Sequence, residues 1–167
     1  RNKAGELAFP KAKVMVPAAE YAFWMDDARM AAAPDAMKGA FQTVRRMLGG
    51  LNDSQMVKFE AGTEIVPGIK SVAAYGHTPG HTLFMVESKG EKFAYVADIT
   101  NVPQLFARNP DWAVQFDMNA EEARVARRKV FDMIVNDKVM AGGFHFPFPA
   151  FGRVEKLGNG FEFKPVA

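Results

Sequence analysis

Gly76-His77-Thr78-Pro79-Gly80-His81, then Phe93-Ala94-Tyr95-Val96-Ala97-Asp98, then Gly142-Gly143-Phe144-His145-Phe146-Pro147 are the stretches that decide how this chain is read. Between them they hold all 3 histidines of the sequence. His77 and His81 are four apart, which would place both on one helix face, but Pro79 and Gly80 forbid a helix there. The expectation is a tight loop after a strand ending at Tyr75, with the imidazoles held by backbone geometry. Asp98 closes an apolar strand, where a carboxylate needs a compensating partner and a metal ion is one of the few good ones. His145 follows a further apolar strand and two glycines. Three nitrogen or oxygen donors thus fall at strand-to-loop edges, where sites assemble on the rim of a sheet. Each also has a plainer reading: His145 among aromatics as a hydrogen-bonded core residue, Asp98 ahead of Ile99 and Thr100 as a turn cap. Two imidazoles and a carboxylate suit zinc, iron or manganese and do not choose among them.

Working outward, the rest of the sequence narrows the chemistry around these residues. At 167 residues the chain has the length of one domain or part of a larger one. Hydrophobic residues make up 49% and charged residues 24%, which excludes global disorder. No apolar run is long enough for a membrane span. The 21 basic and 19 acidic residues are scattered along the chain and leave a net charge of only +2, so no nucleic-acid footprint is present. The absence of cysteine removes disulfides, thiolate metal sites and cysteine nucleophiles. No Gly-x-Ser-x-Gly elbow is present either.

Hydrophobic periodicity predicts alternating strands and helices. Strands are expected at 13–16, 56–59, 64–66, 69–75 and 139–141, with one hairpin over 83–87 and 92–97 and a second over 154–157 and 161–163, turned at Gly158-Asn159-Gly160. Helices are expected at 18–30, from Pro34 to Leu48, and from an Asn119 N-cap to about Asn136. In the last, Val125, Val130, Met133 and Ile134 are expected inward, and Arg127, Arg128 and Lys129 mostly outward. The implied class is α/β or α+β layers around a mixed sheet.

The Gly-His-Thr-Pro-Gly-His loop, the aspartate 21 residues after His77 and the later His145 resemble the downstream metal motifs of the metallo-β-lactamase superfamily. Within it, the chain is similar to the methyl parathion hydrolase-like branch. That likeness extends to Glu20-Tyr21-Ala22-Phe23-Trp24, Ala33-Pro34-Asp35, Met37-Lys38-Gly39, Val66-Pro67-Gly68-Ile69-Lys70 and the final Gly160-Phe161-Glu162-Phe163-Lys164-Pro165-Val166. The resemblance implies the C-terminal part of a four-layer αβ/βα sandwich with a dinuclear metal site on one edge. It implies that His77 is a ligand of the first metal, Asp98 the bridging and catalytically central aspartate, and His145 a ligand of the second. His81 and Thr78 then support these ligands by hydrogen bonding.

The superfamily's His-x-His-x-Asp-His motif, which supplies four further ligands, is absent, and Leu7-Ala8-Phe9-Pro10-Lys11-Ala12 resembles the segment just downstream of that motif in relatives. The expectation is therefore a single partial domain over 1–167, truncated, cleaved or separated from its N-terminal half. That half is its first partner, and the fragment alone is expected to be inactive. The resemblance implies two zinc ions, with iron, manganese or cobalt as substitutes, and a metal-bound hydroxide attacking esters, lactones or organophosphates. Trp24, Phe41, Phe106, Phe144 and Phe146 would line an apolar substrate pocket. A homodimer stays open. So does the compartment: relatives carrying export signals imply a periplasmic home, and a cytoplasmic one stays open. Two rival readings remain, a non-catalytic small-molecule or partner-binding domain of the same fold and an iron-dependent redox member.

Overall fold

In the computed structural model, which describes residues 1–166, the short apolar runs become nine strands and five helices. The chain divides into two compact units, Arg1–Glu60 and a second that starts at Ala61.

In the first unit, β1 (Val14–Pro17) pairs in parallel with β2 (Met56–Phe59), Val14 opposite Met56 and Pro17 opposite Phe59. A parallel pair needs a long crossover, and α1 (Ala18–Trp24), α2 (Asp27–Ala32) and α3 (Asp35–Leu48) provide it. The single helix expected over 18–30 is thus two. Asp26 is the reason: its side chain accepts the Arg29 backbone N–H at 2.9 Å and caps a new helix one residue after Met25. Pro34 stands at the N-cap of α3, just before the first helical turn.

The second unit carries a seven-stranded sheet in simple chain order: β3 (Glu64–Val66), β4 (Ile69–Ala73), β5 (Thr82–Ser88), β6 (Glu91–Tyr95), β7 (Met140–Gly142), β8 (Phe151–Leu157) and β9 (Gly160–Pro165). Every neighbouring pair is antiparallel except β6 with β7, which run parallel. The crossover between those two contains α4 (Pro103–Phe106) and α5 (Ala120–Asn136). Asn119 caps α5 as expected, its side chain accepting the Glu122 N–H at 3.2 Å, with Glu121 and Glu122 beside the positive end of the helix.

The core forms where α5 meets the sheet. Val130, Phe131 and Ile134 pack with Leu83, Ala94, Val96, Ala141, Val154 and Phe161. The rings of Phe131 and Phe161 lie 5.3 Å apart. Burying side chains of this size contributes about 1.5–3 kcal/mol each. Two expectations for α5 are overturned. Val125 is 60% exposed, whereas Arg127 is 1% exposed. The buried stripe runs Ala123, Arg127, Val130, Phe131, Ile134, which is helical spacing with an arginine in it and Val125 off it.

Candidate functional site

The loop bearing His77 and His81 begins as soon as β4 ends at Ala73, two residues earlier than periodicity suggests. It is closed by Ala74 N–H donating to the His81 carbonyl at 2.9 Å. Thr78 contributes its backbone carbonyl, which accepts from Gly76 at 3.1 Å and His81 at 3.2 Å. Gly76 has φ of +123°, and a Cβ there would stand 2.1 Å from the backbone nitrogen of Ala123. The loop is therefore wedged directly against the first turn of α5. Two further bonds fasten it: Met118 N–H to the His77 carbonyl at 3.2 Å and Asn119 N–H to the Gly76 carbonyl at 2.9 Å.

His81 is buried, and backbone groups meet both its ring nitrogens. Nδ1 lies 2.8 Å from the Ala74 carbonyl, and Nε2 lies 3.1 Å from the backbone nitrogen of Asp98. Since the carbonyl only accepts and the Asp98 N–H only donates, the ring is neutral with its proton on Nδ1. His81 thus joins the histidine loop to the Asp98 turn.

Asp98 itself sits three residues past β6. Val96 still donates to Gly142 at 2.8 Å, and a tight turn comes next, with Ile99 N–H on the Val96 carbonyl at 3.1 Å and Ala97 at φ +46°. On the neighbouring loop, Phe144 N–H donates to the Ala97 carbonyl at 3.1 Å. This registers the two turns so that His145 Nε2 comes within 2.9 Å of Asp98 Oδ1, both side chains about one-third exposed at 35% and 32%.

A carboxylate that sequence reading missed faces His77. Asp117 Oδ1 lies 3.0 Å from His77 Nδ1, and its Oδ2 accepts from Arg127 Nη2 at 3.1 Å. The Asp117 side chain is 2% exposed, against 24% for His77. Three more Arg127 donors go to carbonyls: Nε to Ile99 at 3.0 Å, Nη1 to Pro110 at 2.8 Å and to Trp112 at 3.0 Å. Burial pulls the guanidinium below its ordinary value, and the Asp117 charge opposes that. Nothing in the spacing of Asp117 points to it. Arg127 could have been found, because it falls on the buried stripe of its helix.

The three residues proposed from sequence as ligands thus lie on loops tied to one another through His81, whose ring is 5.6 Å from that of His77. Among the described residues, no group of three or more His, Asp or Glu side chains is placed to hold a metal ion. Imidazole and carboxylate at partly exposed positions are donors that zinc, iron or manganese accept, and the described residues supply the Asp98–His145 pair, with His77 on the adjoining loop, rather than a completed set.

The aromatic residues expected at a pocket wall divide sharply. Phe41 is fully buried in the first unit and Trp24 is 7% exposed, their rings 4.8 Å apart and backed by Phe23. Phe146 is 6% exposed and packs at 4.4 Å on Phe163. Its ring fills the space left by Gly143, where a Cβ would come within 2.7 Å of it. These three rings are packing residues. Phe106 is half-buried, with the Arg127 guanidinium 5.8 Å above its ring. Phe144 is 70% exposed and stands edge-on to His145 at 4.9 Å, so it is the expected pocket ring that the structure brings to the candidate ligands. An open groove of about 690 Å³, lined by Glu64, Lys70, Met85, Glu87, Lys92 and Asp137 among others, includes none of the histidines.

The same arrangement of strands and helices occurs in solved structures. A hydrolase of the β-lactamase superfamily, AbOPH, superposes with a TM-score of 0.89 at 23% identity, over 99% of this chain and 58% of its own. The chain has a metallo-β-lactamase fold. AidC, a dizinc quorum-quenching lactonase solved with the product N-hexanoyl-L-homoserine, gives a TM-score of 0.88 at 24% identity over the same shares. A probable metal-dependent hydrolase from Staphylococcus aureus gives 0.67 at 20% identity, over 98% of this chain and 56% of its own. This metallo-β-lactamase-fold chain therefore spans a little under three-fifths of the structures it matches. No family model matches the sequence, and no curated relative is matched.

Proposed function

We propose that these residues form part of a metal-dependent hydrolase acting on small apolar esters, lactones or phosphotriesters, with His77, Asp98 and His145 among the metal ligands. The observation that carries the reading is the joining of the His77 loop, the Asp98 turn and the His145 turn at one rim of a sheet, with Asp98 and His145 already 2.9 Å apart. The fold shared with AbOPH and with the lactonase AidC supports it. Further ligands would come from outside these residues, which we read as a single partial domain of a larger sandwich. A bound zinc would supply a Lewis acid and a water acidified towards neutrality. Asp98 would then hold its carboxylate between two ions, His77 and His145 would each fix one, and His81 would keep the Asp98 backbone in place from behind. Phe144 would present an apolar edge to the substrate beside His145. No helix among the described residues is long and apolar enough to cross a membrane.

Metal content of the full-length protein, by plasma mass spectrometry, tests the metal assignment. About two equivalents per chain are expected, and Asp98→Ala should lose both, since on this reading its carboxylate would help to hold each of them. Two ions retained in that variant would remove Asp98 from the bridge. An essentially metal-free wild type would favour a non-catalytic binding domain of the same fold. The substrate class is tested separately, by supplying the metal-loaded protein with an N-acyl homoserine lactone and an aryl phosphotriester. Turnover of neither would refute it.

A further inference from the structure

We infer that Asp117, braced by Arg127, is a positioning residue for His77: it fixes the imidazole in the tautomer that carries its proton on Nδ1 and its lone pair on Nε2. The assignment deepens the metal-site reading above, but it concerns the chain's own hydrogen bonding and can be measured without any metal. An ionised carboxylate is an acceptor only, so a neutral His77 at 3.0 Å from Asp117 Oδ1 must place its hydrogen on Nδ1. Asp117 has little freedom to do otherwise. Its side chain is 2% exposed, its second oxygen is held by Arg127, and Arg127 is itself anchored to three backbone carbonyls. The backbone adds the same constraint, since the 117–119 segment is bonded to Gly76 and His77 through Met118 and Asn119.

The consequence is that the orientation of His77 is not set within its own loop alone. It is set from the buried face of α5, through a guanidinium and a carboxylate. One of the Arg127 bonds ends on the Ile99 carbonyl, beside Asp98. The same arginine therefore ties down the turns that carry two of the proposed ligands. A histidine that binds metal is commonly held by a carboxylate on its other nitrogen, which fixes both tautomer and ring orientation. Here that carboxylate lies on a segment forty residues away in sequence.

The test is the tautomeric state of the three histidines in ¹⁵N-histidine-labelled, metal-free protein. It is read by two-bond proton–nitrogen correlation at a pH well above about 6.5, where imidazoles are neutral. In wild type, His77 is expected in the Nδ1–H form. Asp117→Ala should move it to a mixture dominated by the Nε2–H form that prevails in solvated histidine, and Asp117→Asn should shift it in the same direction. His81, whose Nδ1 lies against the Ala74 carbonyl, should keep its own Nδ1–H signature in every variant and so reports that the loop is still folded. A wild-type His77 with its proton on Nε2 overturns the proposal even if no variant folds. An Asp117→Ala protein with His77 unchanged overturns it too. In the full-length protein, zinc titration should show affinity lowered by about 10- to 100-fold in Asp117→Ala. If the tautomer shifts and zinc affinity does not, Asp117 positions His77 but the ligand role of His77 is wrong.

Discussion

Arg127→Ala is expected to cost about 3–5 kcal/mol of folding stability, read as a lowered midpoint in urea or thermal unfolding. The side chain is 1% exposed and draws four acceptors together: the Asp117 carboxylate and the carbonyls of Ile99, Pro110 and Trp112. Truncation would leave a carboxylate buried without this counter-charge and three carbonyls without this donor, and each such loss is expensive in a dry interior. Removing the guanidinium also removes the cation above the Phe106 ring. Two further variants separate charge from shape. Arg127→Lys keeps the charge but cannot fork to four acceptors, so it should fall between wild type and alanine. The Arg127→Ala, Asp117→Ala double variant should cost less than the sum of the two single changes, because neither charge is then stranded. A loss under about 1 kcal/mol for Arg127→Ala would mean that water reaches these groups and that the arginine does not organise the site.

This arginine also shows where reading the sequence stops. Strand and helix positions are legible because they depend on apolar periodicity, and the two hairpins and the Asn119 cap depend on local turn and cap chemistry. The loop at His77 is legible because proline and glycine exclude a helix within four residues. Arg127 is misplaced when its charge is weighed above its position, although it stands four residues after Ala123 and seven before Ile134 on a buried stripe. The break between α1 and α2 is missed for the opposite reason: an aspartate that looks like one more polar residue in a helix is the cap of a second one. Asp117 is not legible at all. Its partner in space is forty residues away, and no local pattern distinguishes it from Asp111, the other carboxylate of the 107–119 stretch. Aromatic residues behave similarly. A phenylalanine in a core and one on a rim have the same local sequence signal, and only the approach of Gly143 to the Phe146 ring, with Phe144 turned out beside His145, separates the two.

Gly76→Ala should be a strongly damaging conservative change, and it acts on the site directly. Two costs combine. At φ +123° an alanine is held in a region that only glycine occupies comfortably, a strain of about 1–3 kcal/mol. Its Cβ would also stand 2.1 Å from the Ala123 nitrogen, 2.5 Å from the Ala123 Cα and 2.7 Å from the Glu122 carbonyl carbon. All three are backbone atoms of the first turn of α5, so no side chain can rotate away to make room, and overpacking of this kind adds about 1–3 kcal/mol. The structure has two ways to yield. If the loop moves, His77 leaves Asp117; if the helix moves, Arg127 leaves Ile99 and the Asp98 turn loosens. Either way His77 or the Asp98 turn separates from the groups that orient it. A loss of about 2–6 kcal/mol in unfolding is expected, together with loss of the Nδ1–H signature of His77 in whatever protein remains folded. A Gly76→Ala protein of wild-type stability with His77 unchanged would show that the loop is not wedged against α5, and that this fold aims its first histidine by some other contact.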